Sequence, residues 1–125
     1  MSHFAPATDP KLYRCSCNRP ECDAPPPSDL LLSTLEMLRF HVGQPMIVTS
    51  GPRCAFWNDH EKGEKDSEHL AGDGADVAAS DGAARYRLLA ACFLAGVGRI
   101  GVGKDFVHVG VARNRPTDVV WTYYA

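Results

Sequence analysis

The stretch Arg99-Ile100-Gly101-Val102-Gly103-Lys104-Asp105-Phe106-Val107-His108-Val109-Gly110-Val111-Ala112 decides how this chain folds. Two β-prone runs, 99–102 and 106–112, flank Gly103-Lys104, a turn signal, and together predict a β-hairpin. Side chains alternate across a strand, so Val107, Val109 and Val111 face one way and Phe106, His108 and Gly110 the other. A histidine therefore sits on the face opposite the valines.

Upstream of the hairpin, Ala75 to Ala79 predicts a short strand that brings Asp76 to the same sheet. Ser80 or Asp81 caps a following helix, expected to turn Tyr86, Leu89, Ala90 and Phe93 to the core and to end at Gly96. Further back, Ser28 is an N-cap for a helix to about His41, with Leu31, Leu35 and Leu38 on one face and Gly43 just past its end. Pro45 to Ser50 is short and β-branched, a buried strand. Residues 51–66 are polar and glycine-containing, a long loop or broken helix of a length uncommon without a function. Val119 to Tyr124 is β-prone and aromatic, an edge strand.

Residues 1–27 hold Pro25-Pro26-Pro27 and three cysteines, and predict an irregular arm packed on a domain spanning 28–125. The whole is expected to be a single α+β domain, a small antiparallel sheet with two main helices. Its 125 residues suffice for one core.

Composition excludes several functions. The net charge of −2 gives no basic face for nucleic acid. No apolar run approaches the roughly 20 residues needed to span a bilayer. Met1-Ser2-His3-Phe4-Ala5-Pro6 lacks a charged leader and an apolar signal core, so synthesis in the cytoplasm without a signal peptide is expected.

Chemistry concentrates in Ser67-Glu68-His69-Leu70-Ala71-Gly72-Asp73-Gly74-Ala75-Asp76 and in Asp105-Phe106-Val107-His108. His69, Asp76 and His108 could hold a zinc ion and leave its fourth position open, as a hydrolytic zinc requires. Asp105, three residues before the last histidine, could serve as general base. Arg53, in Ser50-Gly51-Pro52-Arg53, ends a strand where a loop could present it to an oxyanion. Taken singly, each has a duller explanation: a hydrogen-bonded histidine, a turn aspartate, a surface arginine. Of the other histidines, His41 suits a helix C-terminus, His60 lies in the 51–66 loop and His3 in the arm, and none has a partner at ligand spacing.

What changes the odds is the set in one order. Ser-Gly-x-Arg, then Asn58, then Ser-x-His-x6-Asp, then Asp-x-x-His resembles the zinc D-alanyl-D-alanine carboxypeptidase family of peptidoglycan peptidases. That family includes D-Ala-D-Ala dipeptidases and the L-alanyl-D-glutamate endopeptidases of phage endolysins, and Hedgehog domains share its fold. The resemblance runs from about Leu30 to Val111 and is nearest to the short single-domain phage and bacterial members. It implies one catalytic zinc on His69, Asp76 and His108, with Asp105 as general base and Arg53 steadying the scissile carbonyl. It also implies a substrate-side place for Ser67 and a structural role in the loop for Asn58. Two departures stand out. Gly74 replaces a frequent alanine, a change expected to cost little, and Gly110 replaces the Asp or His often found two residues after the last ligand.

The resemblance implies peptidoglycan stem peptides as substrate, with L-Ala–D-Glu cleavage favoured and D-Ala–D-Ala cleavage the alternative. Action at the cell wall would then follow release through a phage holin or delivery by a virion, by a protein expected to be monomeric. A non-catalytic zinc-containing binding module of the same fold is the rival from another class.

Five cysteines, Cys15, Cys17, Cys22, Cys54 and Cys92, are an odd number and read better as thiols than as a disulfide framework. A second, structural zinc on Cys15, Cys17, Cys22 and a fourth ligand is conceivable. The C-x-C-x4-C spacing lacks paired C-x2-C knuckles, however, so local packing or inert thiols are favoured over it. A redox or metal sensor built on these thiols is the weakest alternative.

Overall fold

The caps written in the sequence set the two long helices. A computed structural model describes residues 2–123. Helix α2 (Asp29–Val42) starts where Ser28 Oγ accepts the Leu31 N–H and stops where Gly43 turns left-handed at φ 76°. Helix α4 (Gly82–Leu94) starts at Asp81, whose carboxylate accepts the Ala84 N–H at 2.8 Å. Two short helices precede and follow the first strand: α1 (Pro10–Tyr13) within the arm, and α3 (Ala55–His60) within the 51–66 segment.

Five strands, β1 (Val48–Ser50), β2 (Gly74–Ala78), β3 (Arg99–Val102), β4 (Phe106–Gly110) and β5 (Val119–Thr122), form one sheet in the order β1-β2-β4-β3-β5. The predicted hairpin is β3–β4, and β2 pairs with β4 along its length. The sheet is mixed rather than purely antiparallel, because β5 returns beside β3 in the parallel sense. β5 follows β4 and runs antiparallel to it, so the 111–118 loop has only to pass the end of β3 before β5 pairs on its far side. Tyr124, placed by the sequence in that last strand, lies outside the described residues.

One face of the sheet makes the core. Ala75, Val77, Ile100, Val107 and Val109 are buried there beneath Leu31, Leu35 and Leu38 of α2 and Leu88, Ala91 and Cys92 of α4. The arm joins this core through Phe4 and the fully buried Leu12 of α1. Helix α4 is rotated from the expected orientation: Tyr86 and Phe93 are 76% and 63% exposed. Its apolar residues run nearly all round, so two helical stripes compete. The stripe with Ala91 and Cys92 wins because small side chains let the helix lie close to the sheet.

Candidate metal centre and active site

The other face of the sheet carries a polar row. Ser50, Asp76, His108 and Gly101 stand opposite one another across β1, β2, β4 and β3, and Trp121 of β5 is opposite Gly101. Period-two alternation points all of them away from the valines. Gly101 leaves space for the aromatic neighbours, since a Cβ there would lie 2.6 Å from Tyr123 and 2.7 Å from Trp121. Gly74 likewise makes room for His108, whose Cε1 would be 2.7 Å from an added Cβ. Alanine at 74 is thus a costlier exchange here than the sequence suggests, because the ring it would strike is held on both sides.

His69 reaches the row from a 3₁₀ turn (Glu68–Ala71) that Ser67 begins and Gly72 ends at φ 73°. His69 Nε2 and His108 Nδ1 lie 3.2 and 3.0 Å from the same oxygen, Asp76 Oδ1, and the three side chains are buried. The remaining ring nitrogens are engaged too. His69 Nδ1 lies 2.6 Å from the Gly51 carbonyl, which can only accept, so that nitrogen carries the proton. With Nδ1 so engaged, Nε2 faces the Asp76 carboxylate oxygen, and either a second ring proton or a metal must lie between them. His108 faces carboxylates at both nitrogens, Asp76 at Nδ1 and Glu68 at Nε2.

Such an arrangement of acceptors facing acceptors calls for a cation between them, either a proton or a metal. Without a metal the conflict appears as shifted ionisation. Burial works to raise the Asp76 pKa, but hydrogen bonds from His108 and His69 outweigh it and hold the carboxyl well below its usual range. Burial likewise disfavours a charged His108, yet its bonds to Asp76 and Glu68 raise its pKa overall. His69, Asp76 and His108 offer ligand atoms within 4.8 Å of one another, two imidazoles and a carboxylate, a set that suits zinc. Gly51 and Glu68 brace the outer nitrogens, as partners of metal-bound histidines do.

Glu68 is the functional residue that sequence reasoning missed. Its carboxylate is buried, accepts the Ala112 N–H at 3.0 Å and lies 3.1 Å from Arg99 Nε. It occupies the space a side chain at 110 would need: a Cβ on Gly110 would collide with both carboxylate oxygens. The acid missing at 110 is thus matched by one from the 3₁₀ turn. The signal was present as a pair, an acid beside the first ligand and a glycine two after the last.

Arg53 is buried against this cluster, with Nη2 at 3.6 Å from Asp76 Oδ2. Its Nε donates to Ser50 Oγ and its Nη1 to Asn58 Oδ1, both at 3.2 Å. Asn58 in turn donates to the Glu64 carbonyl at 2.8 Å, tying α3 to the loop beyond it. Ser67 Oγ accepts the His69 N–H at 3.2 Å and lines the cleft. That cleft, of about 500 Å³, is lined by Arg53, by Ser67 and Glu68 with much of the loop before them, and by Arg99, Arg115, Trp121 and Tyr123.

Asp105 is not brought into this wall. It is exposed on the β3–β4 turn, where its carbonyl accepts the Ala79 N–H, and it is absent from the residues lining the cleft. Three residues along an extended strand reverse the face, which is why Asp105 and His108 diverge. His60 stacks on Trp57, His3 pairs with Glu36 and His41 is exposed, so none of these joins the cluster.

A mixed-sheet α+β domain with a buried His-Asp-His set at the floor of a cleft, and an arginine beside it, defines a metallopeptidase-like site. Residues 8–110 match the family model described as Peptidase M15, and the chain belongs to that family. It is a hydrolase, a zinc-dependent peptidase of a family whose general substrate is peptidoglycan. No curated protein matches the chain. The family match stops before β5, so the aromatic wall from Trp121 and Tyr123 lies beyond it.

Proposed function

We propose that this protein is an endopeptidase that cuts the L-Ala–D-Glu bond of peptidoglycan stem peptides, with His69, Asp76 and His108 as zinc ligands. The observation that carries the peptidase reading is the convergence of these three donors on one open cleft with Arg53 at 3.6 Å from Asp76. A zinc ion held there would polarise the scissile carbonyl and render water nucleophilic near neutral pH. Arg53, fixed by Ser50 and Asn58, would stabilise the developing oxyanion without having to reorganise. Ser67 would contact the peptide from the rim. Trp121 and Tyr123 would cover the bound stem and limit water.

Glu68 is a poor proton acceptor. His108, Ala112 and Arg99 all favour its charged form, and together they outweigh the burial that opposes it. It positions His108 instead. Asp105 remains the proposed general base on its Asp-x-x-His spacing alone, and its side chain would have to turn in from the β3–β4 turn to act.

The preference for L-Ala–D-Glu over D-Ala–D-Ala rests on the resemblance to short single-domain phage and bacterial members. Delivery through a holin or a virion, and action as a monomer with arm and domain forming one unit, belong to the same proposal. The rival binding module is disfavoured because a purely structural zinc has its fourth position closed, whereas these donors face a cleft.

Digestion of purified peptidoglycan with and without chelator, read by mass spectrometry, tests this. Chelator-sensitive fragments with new D-Glu amino termini are expected. Free D-alanine instead would reassign the bond, and no product from zinc-loaded protein across several wall chemotypes would overturn the peptidase role.

A further inference from the structure

Far along the sequence from the arm thiols, Cys54 begins α3, and the fold brings it to them. The sulfur atoms of Cys15, Cys17, Cys22 and Cys54 all lie within 4.8 Å of one another. This is the fourth ligand that the spacing of the arm cysteines alone did not supply. Cys92, buried in the core on the inner side of α4, accounts for the odd thiol.

We propose that these four cysteines form a second metal site, a structural tetrathiolate zinc separate from the catalytic cluster. The distances suit it. Zinc–sulfur bonds of about 2.3 Å in a tetrahedron put sulfurs about 3.8 Å apart, and Cys15 Sγ lies 3.7 Å from Cys54 Sγ. A cluster of several irons would hold its four sulfurs farther apart.

One backbone donor already faces the cluster. The Cys54 N–H donates to Cys15 Sγ at 3.4 Å. Asn18, at φ 55°, turns the chain left-handed between Cys17 and Cys22. Four thiolates around one zinc carry a net charge of −2, and Arg14 and Arg19 line the same hollow to offset it. Loading the site releases whatever thiol protons remain.

Its task follows from where Cys54 lies. The residue before it is Arg53, and the loop carrying both also supplies the Gly51 carbonyl that orients His69. The arm already presses on that loop, since a Cβ on Gly51 would lie 2.4 Å from the Lys11 carbonyl oxygen. A zinc joining Cys15, Cys17 and Cys22 to Cys54 would clamp the arm to the loop and hold Arg53 over the cleft.

Metal analysis of the full chain, purified under reducing conditions, tests this independently of catalysis. Two zinc ions per chain are expected, falling to one in Cys22→Ser and to one, at the thiolates, in His69→Ala. Cobalt substitution of the wild-type protein, which needs no variant to fold, should show the intense thiolate-to-cobalt charge transfer of a tetrahedral sulfur site. Thiol titration should find the arm cysteines silent with zinc and reactive after chelation. One zinc per wild-type chain with reactive arm thiols would overturn the proposal, as would disulfides by mass or iron in place of zinc.

Discussion

Two clusters of side chains able to ligate a metal meet at the 50–54 loop, and they are built in opposite ways. His69, Asp76 and His108 stand on or beside a paired sheet, are buried, and share one open cleft. Cys15, Cys17, Cys22 and Cys54 lie on an irregular arm and a helix start, and close on one another with no ligand position to spare. Three donors backed by hydrogen bonds leave room for a substrate; four thiols leave none. The sheet can hold an incomplete set because strand pairing fixes Asp76 opposite His108 without the metal. The arm has only one turn of helix and a few apolar anchors, so it gains more from a metal than the sheet does.

The sharpest way to break this contrast is His108→Ala. Activity is expected to fall to background with loss of one zinc, while the thiols stay protected; loss of both metals would show the two sites to be one folding unit. Arg53→Ala should lower kcat about 10²–10³-fold at unchanged metal content, and a rise in KM alone would make Arg53 a binding residue. Asp105→Asn should cost about 10²–10⁴-fold in turnover with zinc retained. Wild-type rates in that variant would remove Asp105 from the mechanism and agree with its exposed place on the turn.

A smaller effect sharpens the account of Glu68. Glu68→Gln is expected to weaken metal affinity or activity about 10–100-fold, measured by competition with a chelator. Gly110→Asp alone should be worse, because its side chain meets the Glu68 carboxylate. Combining Gly110→Asp with Glu68→Ala should recover part of the loss, and no recovery would show that the two positions do not substitute for one another. The smallest effect on catalysis is expected from Leu12→Ala, which should cost about 2–5 kcal/mol of stability by denaturant unfolding and little activity at temperatures where the protein stays folded.

Much of the scaffold was legible because its signals are local. Ser28, Gly43 and Asp81 are caps whose chemistry acts within one turn of chain. The hairpin across Gly103-Lys104 needed only the alternation of valines with Phe106, His108 and Gly110. The face of α4 was misjudged because Tyr86 and Phe93 carry more apolar surface than Ala91 and Cys92, yet closeness to the sheet, not surface alone, selects the buried stripe. The parallel return of β5 has no local signal either, since pairing sense depends on the path of the connecting loop.

By itself the sequence determined the starts of α2 and α4, the alternation that separates His108 from the core, and the set of residue types able to bind zinc, all of them properties of neighbours along the chain. Tertiary structure alone decided that Glu68 fills the space over Gly110, that Asp105 stays on an exposed turn, and that Cys54 meets the arm thiols. Each of those depends on segments far apart in sequence meeting at a few ångströms, and such distances are set by packing and strand register rather than by any local pattern.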